Sequence, residues 1–290
     1  MSDTQKKKWS TKKKVLVIIL CIVLFLLVST IIAGAVALDW YCTIEDYQIV
    51  SIDEKYDDKV KMIAHRGFRA TAPENTLPAY ENAGEADYWG AECDVYRTKD
   101  GVWVLQHDPY IYRMMDKKGN IEDLTYDELM QYDYTNGNEL DKYPNLKVCT
   151  LDEYLECCEK YDMTAVIEFK GKNNTEHYDE VVDAISKYDC DVVVISFHEE
   201  NLKAFRALSD VPMFYLAQVI EPEDIEIAKD IGNCGIDFNG NKEKNFETDI
   251  IKQCIDAGLE MGAWTIDSID VLDKLVDNGV YYITSNCISY

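Results

Sequence analysis

Beyond residue 60 the chain alternates between two hydrophobic patterns. Short apolar runs of strand length predict eight strands, at 61–65, 89–95, 164–169, 191–196, 212–217, 235–239, 260–266 and 280–284. Between them, stretches with apolar residues every three to four positions predict helices near 76–86, 151–161, 178–188, 200–208, 222–230, 246–257 and 268–278. Several of these begin on capping residues; Thr150 with Glu153 three positions on is a capping-box pair. Strands alternating with helices argue for a parallel α/β fold, and eight of them favour a (β/α)8 TIM barrel over an open sheet. A long excursion from Arg97 to Thr150 interrupts the alternation after the second strand, and it carries an extra strand at 102–106 and a short helix after DLTYDEL. The chain stops just past the eighth strand, so the expected last helix is missing and the segment 39–59 is expected to cover that place.

The N-terminal pattern differs. Val15 to Leu38 is a 24-residue run without a charge, and about 20 such residues cross a bilayer as a helix. Lys6, Lys7, Lys8, Lys12, Lys13 and Lys14 precede it, while Asp39, Glu45 and Asp46 follow. The positive-inside rule puts the N-terminus in the cytoplasm and the rest outside. A secretory signal cleaved near Ala35-Val36-Ala37 is the alternative, although the run exceeds the usual apolar core of about 7–15 residues. The expected division is a basic cytoplasmic tail over 1–14, a transmembrane anchor over 15–38, a connector over 39–59 and one catalytic domain over 60–290.

Charge follows the same division. The chain carries −25 in all; its first 38 residues hold six Lys and one Asp, net +5, which leaves −30 on the remainder from 23 basic and 53 acidic residues. So acidic a domain does not bind nucleic acid through its phosphates. An anionic substrate would need a local cation beside it. Ten Cys occur without a CxxC pair, which argues against zinc and thioredoxin-like readings; most sit among apolar residues as small buried hydrophobes.

Candidate chemistry collects at the C-terminal ends of the predicted strands, where barrels of this kind place functional groups. Strand one ends in His65-Arg66-Gly67, strand two in Glu92, Cys93 and Asp94, strand three in Glu168, Phe169 and Lys170, and strand seven near Trp264. Glu92 and Asp94 stand two apart and so share a face, with Cys93 on the other. Two carboxylates in one space repel unless a cation or proton lies between them. His107-Asp108 closes the strand of the excursion.

These blocks together resemble the glycerophosphodiester phosphodiesterase family. AHRG at 64–67 with PENT at 73–76 is similar to its opening signature; AECDV at 91–95, TKDG at 98–101 and QHD at 106–108 are similar to its second block. IEDLTYDEL at 121–129, TLDEYL at 150–155, IEFK at 167–170, ISF at 195–197 and AWTID at 263–267 continue the match. The resemblance implies metal-dependent hydrolysis of glycerophosphodiesters to sn-glycerol 3-phosphate and an alcohol, as in lipid metabolism. It implies Glu92, Asp94 and Glu168 as metal ligands, all hard oxygen donors suited to Ca2+ or Mg2+. It also implies His65 and His107 as the acid–base pair, with either order open, Arg66 and Lys170 as phosphate contacts, and Trp264 beside the glycerol. Water or a glycerol hydroxyl is the nucleophile. Two departures stand out. Ser285 occupies the place of the family's common Asp after the last strand's Thr, and the bulky Phe68-Arg69 pair is expected to narrow one wall of the site. A phospholipase D- or C-like enzyme acting on intact lipid and a silent phosphodiester-binding module are the rival readings.

Overall fold

The computed structural model describes residues 11–52, 56, 59–170 and 174–290. The chain forms two compact units, Met1–Thr43 and Ile44–Tyr290. Among the described residues the first holds one helix, α1 (Thr11–Cys42), with exposed apolar residues along its length. At about 1.5 Å per residue its 32 residues are long enough to cross a bilayer. Most of the basic tail and part of the connector lie outside the described residues.

The second unit runs β1 (Val50–Ser51), β2 (Lys61–Ala64), α2 (Leu77–Glu85), β3 (Gly90–Arg97), β4 (Trp103–Leu105), α3 (Tyr112–Met115), α4 (Tyr126–Leu129) and α5 (Leu151–Tyr161). It continues with β5 (Thr164–Phe169), α6 (Tyr178–Ile185), β6 (Val192–Ser196), α7 (Glu199–Arg206), β7 (Met213–Ala217), α8 (Pro222–Ile231) and β8 (Cys234–Asn239). It ends with α9 (Ile250–Asp256), β9 (Met261–Trp264), α10 (Ile269–Asp277), β10 (Tyr282–Ser285) and β11 (Ile288–Ser289). Strands β2, β3 and β5 to β10 pair in parallel, and the β2–β3 pairing closes them into an eight-stranded barrel. The helices alternate with these strands, as the hydrophobic pattern predicts. The helix expected near 246–257 begins later, at Ile250, behind a short 3-10 turn over Glu243–Phe246. Thr150 and Glu153 form the reciprocal capping box that starts α5.

Strand alternation divides the core in two. Met62, Ala64, Cys93, Val95, Ala165, Ile167, Phe169, Ile236 and Phe238 pack outward against the helices. Ile63, Val166, Val193, Ile195, Phe214 and Leu216 pack inside the barrel. At its N-terminal end the interior is closed by Trp89 and Tyr282, with the Lys61 ammonium 4.8 Å and 4.4 Å from their ring centres. The excursion after β3 adds β4 antiparallel to it, and has its own small core of Tyr96, Val104, Ile111, Met114, Met115, Ile121, Leu129, Tyr134 and Val148. Ahead of the barrel, β1 pairs with β11, and Ile52, Tyr56 and Val60 join the outer core.

Candidate active site

The C-terminal ends of the strands surround a cavity of about 120 Å³, lined by His65, Arg66, Glu92, His107, Glu168, Lys170 and Trp264. Ile195, Phe197, Leu216, Asp237, Thr265 and Thr284 complete its wall. Asp94 stands directly behind, 1% exposed. Ligand oxygens of Glu92, Asp94 and Glu168 lie within 4.8 Å of one another, and all three residues are buried. The i, i+2 spacing explains this: β3 and β5 run side by side in register, with Asp94 opposite Glu168, and each turns its acids inward. Cys93 points outward into the helix layer, where burial pushes its thiol well above its ordinary pKa.

The backbone around β2 is shaped to serve these acids. Arg66 and Gly67 both take positive φ, at 58° and 74°. A Cβ on Gly67 would meet the Ala79 backbone at 2.7 Å, so only glycine fits that crossing. The turn aims the Arg66 amide at Glu92, donating to Oε2 at 2.7 Å. Asn75 donates from Nδ2 to Asp94 Oδ2 at 2.7 Å and accepts from the Asp94 amide at 3.1 Å, so the loop asparagine of PENT holds a ligand in place.

The carboxyls respond in opposite directions. Burial, then the charges of Asp94 and Glu168, push Glu92 well above the usual carboxylate range. Glu168 is raised to about 7, chiefly by burial, with Lys170 opposing and Asp94 adding to the rise. Burial acts the same way on Asp94, but Lys170, His107 and Arg66 outweigh it and hold that group below its ordinary value. Lys170 Nζ is 3.2 Å from Asp94 Oδ1 and 2.9 Å from Glu168 Oε1. Three buried oxygen donors, two resisting ionisation, form a set that a hard divalent cation fits.

The two histidines have different supports. His65 Nδ1 is 2.7 Å from Asn286 Oδ1. Asn286 in turn donates from Nδ2 to Asp267 Oδ2 at 2.6 Å and from its amide to Oδ1 at 2.8 Å. Ser285 also donates to Asp267 Oδ1, at 3.0 Å. A carboxylate thus reaches Ser285 from the loop after β9. Burial, with Arg66 and Arg69 nearby, pushes His65 well below its ordinary pKa. His107 Nδ1 lies 3.1 Å from Asp108 Oδ1, and Arg113 donates from Nε to Asp108 Oδ2 at 2.6 Å. Arg113 continues to Glu74 at 2.5 Å; Glu74 also receives Arg66 at 2.9 Å and Arg69 at 2.8 Å. Burial alone would raise Glu74, but the three guanidiniums hold it well below the usual range.

All eight residues singled out from the sequence gather here: His65, His107, Arg66, Lys170, Trp264, Glu92, Asp94 and Glu168. The expectation for Phe68-Arg69 is not met. Phe68 packs outward on Tyr88, with ring centres 5.2 Å apart, and Arg69 pairs with Glu74, so neither lines the cavity. His177 and His198 also lie off it. Sequence reasoning missed Glu74, Arg113, Asp267 and Asn286 as supports, and Asp237 as a wall. The only sign of Arg113 was a base inside the apolar run IYRMM; Asp237 showed as an acid inside GIDF.

The profile of the Glycerophosphoryl diester phosphodiesterase family matches residues 65–288. The cow Glycerophosphodiester phosphodiesterase 1 (Bos taurus) is 27% identical over 267 residues, spanning 80% of this chain and 79% of that one. A glycerophosphodiester phosphodiesterase of Caldanaerobacter subterraneus is 25% identical, across 77% of this chain and 92% of its own. Among solved structures, an Oleispira antarctica phosphodiesterase in complex with its product sn-glycerol 3-phosphate superposes with a TM-score of 0.73 at 26% identity, covering 82% of this chain and 96% of that one. The matched span contains the whole cavity and every strand end that builds it, and the chain therefore belongs to the glycerophosphoryl diester phosphodiesterase family of phosphoric diester hydrolases.

Proposed function

We propose that this cavity hydrolyses glycerophosphodiesters to sn-glycerol 3-phosphate and an alcohol, with His65 as general base and His107 as general acid. The carrying observation is the contrast between the partners of the two histidines. Asn286 gives its amide protons to Asp267, so the oxygen it turns toward His65 accepts the Nδ1 proton. That selects the Nδ1-protonated tautomer, whose Nε2 is free to take a proton from the nucleophile, whether water or the substrate's glycerol hydroxyl. Burial and the neighbouring guanidiniums favour the neutral form. His107 has an anionic partner instead. The Asp108 carboxylate, kept ionised by His107 and Arg113 despite burial, holds the ring in place beside the site where an expelled alkoxide needs a proton.

Arg66 and Lys170 supply fixed positive charge to the phosphoryl oxygens; both are already oriented by buried carboxylates. Glu92, Asp94 and Glu168 would hold one divalent cation, Ca2+ or Mg2+. When bound, such an ion supplies charge stabilisation for the nonbridging oxygens. Trp264 packs edge-on against Phe197, with ring centres 5.5 Å apart, as an apolar wall for the carbon chain. The cavity of about 120 Å³ suits a phosphoryl-glycerol. Exposed large apolar residues of this unit, Ile49, Tyr110, Leu208, Ile255 and Tyr281 among the described residues, come from separate segments. Both facts favour a small substrate over intact lipid. Helix α1 is read as a membrane anchor with the barrel outside the cytoplasm; recovery of the barrel in a soluble, processed form would favour the signal reading instead.

Release of sn-glycerol 3-phosphate from glycerophosphocholine, with Ca2+, Mg2+ or chelator, tests the activity. Leaving-group chemistry tests the roles. His107→Ala should lose roughly 10²–10⁴-fold in turnover on glycerophosphocholine while cation affinity changes little. A p-nitrophenyl phosphodiester, which needs no protonation to leave, should recover most of that loss. His65→Ala should lose on both substrates alike. Recovery in His65→Ala and none in His107→Ala would reverse the assignment.

A further inference from the structure

Asp237 on β8 has no part in the chemistry above. It projects into the barrel interior, since its neighbours Ile236 and Phe238 both pack outward. It is 6% exposed and lines the catalytic cavity from below. On its other side lies an apolar void of about 10 Å³, bounded by Ile63, Val166, Phe214 and Tyr282. The other buried acids of the barrel interior each have a polar or charged neighbour: Glu92 the Arg66 amide, Asp94 Asn75 on one oxygen and Lys170 at 3.2 Å from the other, itself without a hydrogen bond, and Glu168 Lys170. Asp237 Oδ1 is buried with no hydrogen-bond partner.

The space for this carboxyl is built. β8 pairs with β9 so that Asp237 faces Gly262, and a Cβ there would come within 2.9 Å of Oδ1 and 3.0 Å of Cγ. The Asp237 carbonyl accepts from Trp264 Nε1 at 3.3 Å, tying the carboxyl's backbone to the apolar wall of the site. A buried polar group without a partner costs folding free energy, so its place in a cavity floor points to a partner that arrives with the ligand.

We propose that Asp237 is a specificity-determining residue that hydrogen-bonds a hydroxyl of the glycerol half of the substrate. A carboxyl accepts from a hydroxyl in either protonation state and also donates when neutral. Its backbone tie to Trp264, the proposed apolar wall for the carbon chain, favours the glycerol half. The inference rests on the cavity being the phosphodiesterase site.

The test is binding, kept apart from turnover. Titrate wild type, Asp237→Val and Gly262→Ala with sn-glycerol 3-phosphate and with its two singly deoxygenated analogues, 1,2-propanediol phosphate and 1,3-propanediol phosphate. Wild type should bind sn-glycerol 3-phosphate about tenfold more tightly than at least one analogue, the worth of one buried hydrogen bond. Asp237→Val should bind all three alike and melt no lower than wild type. Gly262→Ala, whose methyl presses on the carboxyl, should narrow the preference without abolishing folding. An unchanged ranking in Asp237→Val, or no ranking in wild type, overturns the proposal; so does an Asp237→Val that fails to fold alongside a Gly262→Ala with the wild-type ranking. Loss of glycerophosphocholine hydrolysis by wild type would sink the catalytic reading instead, and the ligand ranking would still decide Asp237.

Discussion

The two ends of the barrel interior are made by the same strands and treat polarity in opposite ways. At the N-terminal end, Ile63, Val166, Val193 and Phe214 line the space, and the Lys61 ammonium rests on the rings of Trp89 and Tyr282. At the C-terminal end, Glu92, Asp94 and Glu168 are buried, with the half-buried Arg66 and Lys170 against them. The floor gains stability from removing apolar surface from water, at roughly 25 cal/mol per Å². The rim gains little, because desolvating paired charges largely cancels their attraction. It is tolerable because the floor and the outer helix layer supply the stability, and useful because charges fixed in a dry site need no rearrangement during reaction.

Substitutions at the two ends should therefore fail differently. Glu92→Ala should have the largest effect: metal-dependent hydrolysis falls by about 10³-fold or more, while the protein still melts cooperatively, as expected when electrostatic stabilisation of the reacting phosphoryl is removed. Persisting wild-type activity would remove Glu92 from the ligand set. Phe214→Ala at the floor should do the reverse. It costs about 3–5 kcal/mol of stability in denaturant titrations, with kcat/KM at low temperature nearly unchanged. An equal loss of activity would mean that the two ends are coupled.

Arg113→Met should lower kcat by roughly 10–100-fold with little change in KM, by releasing Asp108 and so misplacing His107. A wild-type kcat would show that Asp108 holds the ring unaided. The smallest effect is in pH. Glu168 is raised from 4.5 to about 7 in the fold, so the folded chain binds more protons than the unfolded one across that window. Its contribution is fully present below the lower value and lost as pH rises through the upper. In chelator, the melting temperature of wild type should fall from about pH 5 to about pH 7 relative to Glu168→Gln. Ca2+ should remove the difference. Parallel curves without metal would show that Glu168 does not carry the repulsion.

Much of this was legible in the chain. The period-two runs fixed which side of each strand faces the barrel: Glu92 and Asp94 inward, Cys93 outward. The resemblance brought together residues from five separate segments. The Phe68 error came from reading bulk without direction, since size alone does not say which way the turn after Gly67 throws a side chain.

By itself the sequence determined the alternation of strands and helices, the apolar N-terminal run, the charge asymmetry and the residue types of the site, because each depends on local periodicity or on composition. Only the tertiary structure decided which groups support which. Asn286 reaches His65 from 221 positions away, Arg113 reaches Glu74 across 39, and Asp267 stands against Ser285 from another loop. Such contacts depend on barrel closure and strand register. The same closure left Asp237 facing Gly262 without a partner, a condition that no local pattern in GIDF encodes.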